Sequence, residues 1–426
     1  NIYTAVVQRP NESLVGTKEI ITMELCDYPI QTDYGSRCEV RILKKGLLGH
    51  AIYYGKELDC VPGQRITAEV LIKSAVHLND AEENITTYTS SGIYLLLYHR
   101  GEETIEEGNA DSLRYFPQRA SRKFAKSVDR LFPVREVGFL RALLLGDKSG
   151  LQQTDRTALT ESGLYHIAAV SGLHCGFVIW ILSFFLGRSR PKLRCAISVP
   201  LLIFYVMLTG ASPSAQRACI MLSTVLLADI FKRESDPITT FFAALFLLLL
   251  INPFAIASLS LQLSFAAVAG ILWITPKLSR RIKKGNRFLH IVASSFAVTL
   301  GASVFTIPLS AYYFGKISLV TFFSNLLCLQ MVSVAFALGF ISVILGMVCL
   351  PLGSFMAFFA LLPVKYVLVV AGFLAKLPHH ALYFNHKLSI LWLVYVYFLF
   401  GGMSLLKHGR YRYQVAALLS ALLRFG

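Results

Sequence analysis

The chain has 426 residues, of which 55% are hydrophobic, and runs such as 241–251 and 388–406 are too apolar for the surface of a soluble domain. This composition excludes an ordinary water-soluble protein and predicts an integral membrane protein. The formal net charge of +16 is uneven: residues 1–118 hold 11 Lys/Arg and 17 Asp/Glu and sum to −6, whereas residues 119–426 hold 30 and 8 and sum to +22.

The basic excess after residue 118 has two interpretations. The positive-inside rule for cytoplasmic loops accounts for most of it. Attraction of a polyanion is the second interpretation, and it applies only to the positive charge that the positive-inside rule does not explain.

Residues 1–116 predict a small β domain outside the cytoplasm. Turn residues separate five β-rich or alternating runs, at 18–25, 36–43, 50–54, 64–72 and 92–99. Five short strands fit an OB-like barrel, and a sandwich is the alternative. The acidic sum of this domain leaves at most a local basic patch for phosphate, formed by Arg37, Arg41, Lys44 and Lys45.

Three cysteines, Cys26, Cys38 and Cys60, fall in this domain. In an extracytoplasmic domain we expect one disulfide among them, with three possible pairings. A metal site is disfavoured because no Cys-x-x-Cys spacing occurs. We therefore expect no metal and no cofactor.

Residues 117–160 predict a connection of basic amphipathic helices, over 121–132 and 135–146. One interpretation places these helices on the membrane surface, against anionic headgroups. The other makes them a basic collar around an entrance for a polyanion.

Residues 161–426 predict a polytopic helical domain of about nine spans with broken or half helices. Basic residues recur at 188–194, 232–233, 277–287 and 407–412, always on one side of this order, which predicts that this side is cytoplasmic. The predicted spans are 163–187, 195–210, 214–231, 237–251, 256–275, 288–308, 329–349, 352–375 and 388–406, with a half-helix at 317–327. Because the chain begins at Asn1 without a cleavable signal and stops inside an apolar helical pattern, we expect the natural chain to extend at both ends.

Several polar residues lie in or beside apolar segments, where a charge at mid-bilayer costs about 2.5–3.5 kcal/mol, so they are expected to face a bundle interior or a wet cavity. Two glycines, Gly163 and Gly172, predict a helix break near Ser171. The polar residues are Glu161, His166, Ser171, His174, Gln216, Arg217, Gln262, Ser264, Asn325 and Lys365.

The two histidines, His166 and His174, would share a face of a continuous helix because they are about two turns apart. A metal pair is disfavoured, since neither i, i+4 spacing nor HExxH occurs. A hydrolytic pair of Ser171 and His174 lacks the G-x-S-x-G elbow. Helix-packing hydrogen bonds at a bend and a polar lining for a translocation path are the remaining alternatives, and we favour the lining.

Four segments together resemble the ComEC family of competence proteins in content and order. They are ESGLYHIAAVSGLHCGF (161–177), TGASPSAQRACIM (209–221), NPFAIASLSLQLSFAAVAGI (252–271) and IPLSAYYFGKISLVTFFSNLL (307–327). The resemblance implies an inner-membrane channel for incoming single-stranded DNA during natural transformation. It also implies a preceding OB-like module, a periplasmic DNA-receptor protein, and a cytosolic helicase or single-strand-binding proteins.

The resemblance also implies functional positions. These are His166, Ser171, Gly172 and His174 in the first segment, Pro213, Gln216 and Arg217 in the second, and Gln262 and Ser264 in the third. Asn325, one of the polar residues in apolar segments, is expected to line the DNA path with them. A DNA conduit needs a basic mouth, which Arg141, Lys148 and Arg156 would supply.

Many ComEC members carry a C-terminal metallo-β-lactamase-like domain, but this chain has no Walker A, HxHxDH or other nuclease or ATPase motif. We therefore expect a conduit and not an enzyme. The main alternative is a secondary transporter or flippase for another anionic polymer or lipid-linked sugar. A second alternative is an intramembrane hydrolase that uses Ser171 or the histidines.

Overall fold

A computed structural model describes residues 14–32, 35–43, 50–56, 58–75, 87–109, 111–187, 190–232, 234–280 and 287–384. The chain divides into two compact units. The first contains residues 1–265 and 323–375, and the second contains residues 266–322 and 376–426.

The first unit begins with a six-stranded sheet. The five predicted strands are confirmed, and a short strand that the sequence pattern did not reveal, β2, precedes β3. The strands are β1 (Lys18–Leu25), β2 (Ile30–Thr32), β3 (Gly35–Ile42), β4 (His50–Gly55), β5 (Arg65–Ser74) and β6 (Ile93–Glu106).

The strand order of the sheet is β1–β5–β6–β4–β3–β2, with only the β4–β6 pair parallel. Alternate residues of β5 are buried, as a period of two requires for a strand with one face on a core. β1 also pairs with β3, but only through Met23–Leu25, so the sheet curls back on itself without forming a closed barrel. The prediction of a barrel is corrected to this curled sheet.

Two helices connect the sheet to the apolar part, α2 (Phe116–Leu131) and α3 (Val134–Leu145); a four-residue helix, α1 (Thr87–Ser90), precedes β6. α2 is amphipathic as predicted, because four of its five basic residues are exposed while Phe124 and Val128 are buried. α3 differs from the prediction, since the stretch 136–145 is almost wholly buried. It is a core helix and does not lie on a surface, because its apolar residues occupy more than one face.

Residues of α2 and α3 share one hydrophobic core with residues of six other helices. These are α4 (Gln153–Glu161), α5 (Gly172–Leu186), α6 (Pro191–Leu208), α7 (Pro213–Ile230), α12 (Thr321–Val348) and α13 (Leu350–Ala375). Between α7 and α12 the chain forms α8 (Pro237–Ile251), α9 (Leu259–Trp273), α10 (Thr275–Ser279) and α11 (Arg287–Phe314). Two of these helices, α9 and α12, have residues in both units.

Five stretches of the described residues are long and apolar enough to cross a membrane: Pro191–Leu208, Leu259–Ser279, Leu289–Phe314, Thr321–Val348 and Leu350–Ala375. Two shorter apolar helices, Gly172–Phe184 and Pro237–Ile251, accompany them. These lengths and compositions are those of a membrane protein. The predicted count of nine spans is not confirmed, and the span predicted at 388–406 lies outside the described residues.

The predicted half-helix at 317–327 is wrong. Residues Lys316–Ser318 form a strand, β7, and α12 then runs unbroken for 28 residues. No proline or glycine lies in the N-terminal half of α12, so the backbone has no reason to break there.

The described part of the second unit contains α10, α11 and a two-stranded sheet. β7 pairs antiparallel with β8 (Ala381–Tyr383). Gly270 and Gly301 are in backbone contact, and a Cβ on Gly270 would collide with the Gly301 carbonyl.

Candidate functional site

The chain breaks before α5, as the sequence predicted near Ser171. α4 ends at Glu161, Gly163 follows with a φ of 76°, and residues 165–168 form a single 3₁₀ turn. Ser171 then caps α5, so the helix begins at Gly172 and not at residue 163 as predicted for the first span. The break leaves the N-terminus of this apolar helix partly buried.

The cap of α5 is closed by His174. The backbone N–H of Ser171 donates to His174 Nδ1 at 3.0 Å, which completes a capping box. Because Nδ1 accepts this bond, the neutral ring carries its proton on Nε2; we assign the tautomer from this hydrogen bond. His174 is 1% exposed, its ring packs edge-on against Phe336 at 5.0 Å, and Nε2 has no partner among the described residues.

His166 does not share a helix face with His174, because the two residues lie on opposite sides of the break. Its side chain is exposed, and its Nδ1 lies 3.0 Å from the Gly163 carbonyl oxygen. Within the described ranges no group of three or more His, Cys, Asp or Glu side chains could hold a metal ion.

Arg217 lies near the start of α7, which Ser212 caps by accepting a hydrogen bond from the Ala215 N–H at 3.3 Å. Its side chain is buried, with only 7% of the residue exposed. The guanidinium carbon lies 5.7 Å from the ring centroid of Phe265, and Nη1 lies 3.9 Å from Met221 Sδ. Nε has no partner, and no carboxylate of the described residues forms an ion pair with Arg217.

Gly172 brings the two helix starts together. A Cβ built on this glycine would lie 3.6 Å from Arg217 Nη2 and 3.6 Å from Ala218 Cβ. The guanidinium therefore lies against the first turn of α5. We call this arrangement of Gly172, His174, Arg217 and Phe265 the α5–α7 junction.

Three other predicted residues of the second and third segments, Ser264, Gln216 and Gln262, make described hydrogen bonds, and the bond of Ser264 links α7 to α9. Ser264 Oγ lies 2.9 Å from Ser214 Oγ, which ties the first turn of α7 to α9. Gln216 donates to the Ala211 carbonyl at 2.6 Å, and Ala211 has a φ of 47°, so this bond supports a strained turn. Gln262 donates to the Ile256 carbonyl at 3.0 Å.

Asn325 and Lys365 are not connected to this junction by any described contact. Asn325 lies in the second turn of α12 with its Oδ1 buried and unpartnered. The adjacent Ser324 donates to the Ser162 carbonyl at 2.7 Å and so fixes α12 against the turn before α5. Lys365 is exposed on α13.

The three residues predicted as a basic mouth lie in different surroundings. Arg141 is held by both carboxylate oxygens of Asp129 and lies 3.7 Å from Asp147 Oδ2, so its charge is already paired. Lys148 Nζ lies 4.6 Å from the ring centroid of Tyr165, and Arg156 is exposed. The basic mouth stays a prediction. Arg141 would contribute its charge to it only by breaking its contacts with Asp129 and Asp147.

The sheet holds the predicted cysteines as free thiols, so the structure does not contain the expected disulfide and the pairing stays a prediction. Cys38 and Cys60 are buried in the sheet core, and burial raises the pKa of the Cys38 thiol to about 12. Cys26 Sγ lies 3.8 Å from His50 Nδ1.

The described residues of the predicted basic patch, Arg37 and Arg41, make different contacts. Arg41 forms an ion pair with Glu24, and Arg37 lies 5.9 Å from the ring centroid of Tyr88. Lys44 and Lys45 lie outside the described residues.

Sequence reasoning missed Ser214, Phe265 and Phe336 as members of the site. Ser214 and Phe265 lie inside the segments 209–221 and 252–271, so their position beside named residues was the available signal. Phe336 had none, since it is one apolar residue in a long apolar helix.

A family model described as "Competence protein" matches residues 143–409 of the chain. ComE operon protein 3 of Bacillus subtilis is 32% identical over 203 residues, which are 46% of this chain and 25% of that protein. Competence protein ComA of Neisseria gonorrhoeae is 29% identical over 198 residues, covering 43% and 27%. Recombination protein 2 of Haemophilus influenzae is 24% identical over 341 residues, covering 76% and 42%.

The matched regions therefore span between a quarter and about two fifths of these relatives. No solved structure matches the chain. The α5–α7 junction, with residues 172 to 265, lies inside the matched family region.

Proposed function

We propose that this chain, which belongs to the competence protein family, conducts single-stranded DNA across the inner membrane into the cytoplasm during natural transformation. The family agrees with the ComEC resemblance of its four segments. One observation carries the proposal. Three separate segments of the sequence converge at the α5–α7 junction and bring buried polar side chains with unpartnered atoms into a membrane protein. Lipid-facing or purely structural positions would not retain such groups, because each one costs free energy without a ligand.

We further propose the predicted topology of about nine spans, with residues 1–160 outside the cytoplasm. One ion pair supports the orientation of α6 and α7. Arg194 near the start of α6 pairs with Asp229 near the end of α7, so these two helix ends lie together. Both ends are basic, with Lys192 and Lys232 beside them, as cytoplasmic helix ends are under the positive-inside rule.

The sheet would receive the strand before the membrane, as an OB-like module. Its strand order with a single parallel pair fits the partly open barrel of an OB-fold. Tyr54 and Tyr98 stack at 5.1 Å with a 10° angle between their rings, and Lys73 Nζ lies 5.2 Å from the Tyr98 ring centroid. Aromatic rings beside cations accept bases by stacking, at about 1–3 kcal/mol per base.

The chain has no motif for hydrolysing ATP or phosphodiesters, so we propose a conduit that works with other proteins. A periplasmic DNA receptor would deliver the strand, and a cytosolic helicase or single-strand-binding proteins would draw it in. The lipid bilayer is the other partner.

The test is an import assay in cells that produce the full-length protein at its normal level. Labelled duplex DNA is supplied, and the DNase-resistant single strand inside the cell is measured together with transformation frequency. We expect Arg217→Gln to reduce both at least tenfold, because phosphate contacts in the path are lost. The matched control is the double variant Arg194→Gln with Asp229→Asn, which removes a paired arginine together with its partner and should import normally.

Normal import by Arg217→Gln would contradict the role of the junction in the path. Cells that lack the protein, import DNA normally and accumulate a lipid-linked sugar would favour the flippase instead.

A further inference from the structure

We propose that the N-terminus of α5 and the guanidinium of Arg217 together form a binding site for one phosphodiester anion. The proposal deepens the proposed function and relies on it for the source of that anion, the backbone of the transported strand. The binding chemistry is argued from the junction alone.

Arg217 carries a buried positive charge. An arginine side chain stays protonated in proteins, and a buried charge is costly unless it is paired. The structure describes the Phe265 ring, Met221 Sδ and Gly172 beside this guanidinium, with the Cys175 thiol nearby, and none of these groups is a carboxylate. A cation–π contact and a thioether lower the cost only in part. The site therefore has one positive charge more than its own residues balance.

The N-terminus of α5 lies beside this charge. The capping box satisfies the N–H groups of Ser171 and His174, so those of Gly172 and Leu173 are left without an intrahelical partner, and the helix dipole adds about half a positive charge there. Arg217 Nη2 lies 3.6 Å from the Cβ position of Gly172, the first residue of α5. Two positive groups therefore adjoin, and the guanidinium is buried, which is unfavourable unless an anion lies beside them.

Gly172 leaves room beside the guanidinium. It needs no special backbone angle, since it does not have a positive φ. What its missing side chain provides is the room of one methyl group, since a Cβ there would be in van der Waals contact with Arg217 Nη2 and with Ala218. An anion beside Arg217 that approaches the helix N–H groups needs this room, as phosphate does at glycine-containing helix starts.

The donors of this place match a phosphodiester. A planar guanidinium pairs with two oxygens of a phosphate, and N–H groups of a first helical turn donate to anions of this kind. In the same turn of α5, His174 Nε2–H is buried without a partner. Both phosphodiesters within reach of a membrane protein, a nucleic-acid backbone and a lipid headgroup, offer this chemistry. Transport of a strand needs contacts of this kind, which bind the backbone and ignore the bases.

The test uses the full-length protein in nanodiscs of phosphatidylcholine, with a fluorescent oligothymidylate as the probe. Affinity is measured over a series of salt concentrations for the wild type, Arg217→Gln and Arg217→Lys. For Arg217→Gln we expect about tenfold weaker binding and a slope of log affinity against log salt that is smaller by about 0.7, the value for one phosphate contact on a single strand. Arg217→Lys should keep the slope, and the Arg194→Gln with Asp229→Asn control should match the wild type.

A second variant keeps the arginine in place. In Gly172→Ala the new methyl group would meet Arg217 Nη2 and Ala218 at 3.6 Å, an ordinary contact, so the fold should tolerate it. Binding should nevertheless weaken severalfold, because the methyl group occupies the approach to the guanidinium. If Arg217→Gln does not fold, the affinity of Gly172→Ala tests the phosphodiester site in its place.

Two further measurements separate this proposal from the proposed function. Inorganic phosphate should raise the melting temperature of the wild type and not of Arg217→Gln. If it does so while oligothymidylate does not bind, the anion site stands and the DNA conduit is wrong. If phosphatidylglycerol in the nanodisc abolishes the Arg217-dependent part of oligothymidylate binding, the anion is a lipid phosphodiester, and the assignment to the strand is overturned.

An unchanged affinity and salt slope in both Arg217→Gln and Gly172→Ala would overturn the phosphodiester site. The conduit would survive that result if import remained sensitive to other residues of the junction.

Discussion

The sheet and the α5–α7 junction differ in whether their buried charges have a partner of opposite charge. In the sheet Arg41 pairs with Glu24, although its Nε has no hydrogen-bond partner, and Tyr53 donates to Glu103 at 2.8 Å. At the junction Arg217 has no anionic partner among the described residues, and His174 Nε2 has none of any kind. Paired charges stabilise a fold, whereas an unpaired buried charge costs stability unless a ligand balances it. The difference distinguishes a scaffold from the proposed binding site.

The largest expected effect comes from breaking a pair in the sheet. Glu24→Gln leaves Arg41 without its carboxylate beside a buried position, and we expect the free energy of unfolding to fall by about 2 kcal/mol. Thermal melting of the full-length protein in nanodiscs measures it. Glu102→Gln, at an exposed position of β6, is the control and should change little. Equal melting temperatures for both variants would show that the sheet does not depend on its pairs.

At the α5–α7 junction we expect removal of a charge to raise the free energy of unfolding. Arg217→Met removes an unpaired buried charge and keeps a similar volume, so we expect the free energy of unfolding to rise by about 1 kcal/mol. DNA import should be lost at the same time. The same substitution at the paired arginine, Arg194→Met, is the control and should lower stability. A destabilised Arg217→Met protein would mean that Arg217 is structural.

His174 has one ring nitrogen with a hydrogen-bond partner, Nδ1, and one without, Nε2. His174→Ala loses the capping box and should cost about 1 kcal/mol. His174→Gln keeps an acceptor at the third residue of the helix, where glutamine closes capping boxes, so its melting temperature should stay near that of the wild type. His174→Ala also lacks the Nε2–H donor and should import less DNA, whereas glutamine keeps a side-chain N–H donor and should import more DNA than alanine. Full import by His174→Ala would limit His174 to its capping role.

The smallest effect is a pH dependence of the sheet. The hydrogen bonds of His50 to Cys26 and to Glu39 raise the pKa of its imidazole from 6.5 to about 10. A pKa that is raised on folding stabilises the fold fully below pH 6.5, and this contribution is lost as the pH rises towards 10. Because the side chains of His50 and Glu39 are nearly half exposed, solvent screens the effect and we expect only a slight fall in melting temperature over this range.

His50→Gln should remove that pH-dependent part of the melting curve. Its difference from the wild type should shrink as the pH approaches 10. A difference that grows with pH would contradict the assigned direction of the pKa shift.

The sequence by itself determined the elements whose signals are local. Alternation of apolar residues predicted five strands, apolar length predicted membrane helices, and the glycines with Ser171 predicted the break before α5. Local signals also misled: α12 is continuous where a half-helix was expected, and α3 is buried where a surface helix was an alternative. Periodicity reports one element at a time, so it does not say what a helix packs against.

Only the tertiary structure decided which polar residues have partners. Arg141 and Arg217 look alike in sequence, because each is the only charged residue of its stretch, 137–146 and 209–228. The fold places Arg141 against Asp129 and Asp147, and places Arg217 against Gly172 and Phe265. Gly172 and Phe265 lie 45 and 48 positions away along the chain. Contacts over such separations are set by how helices pack, and the charge balance of a site is a property of those contacts.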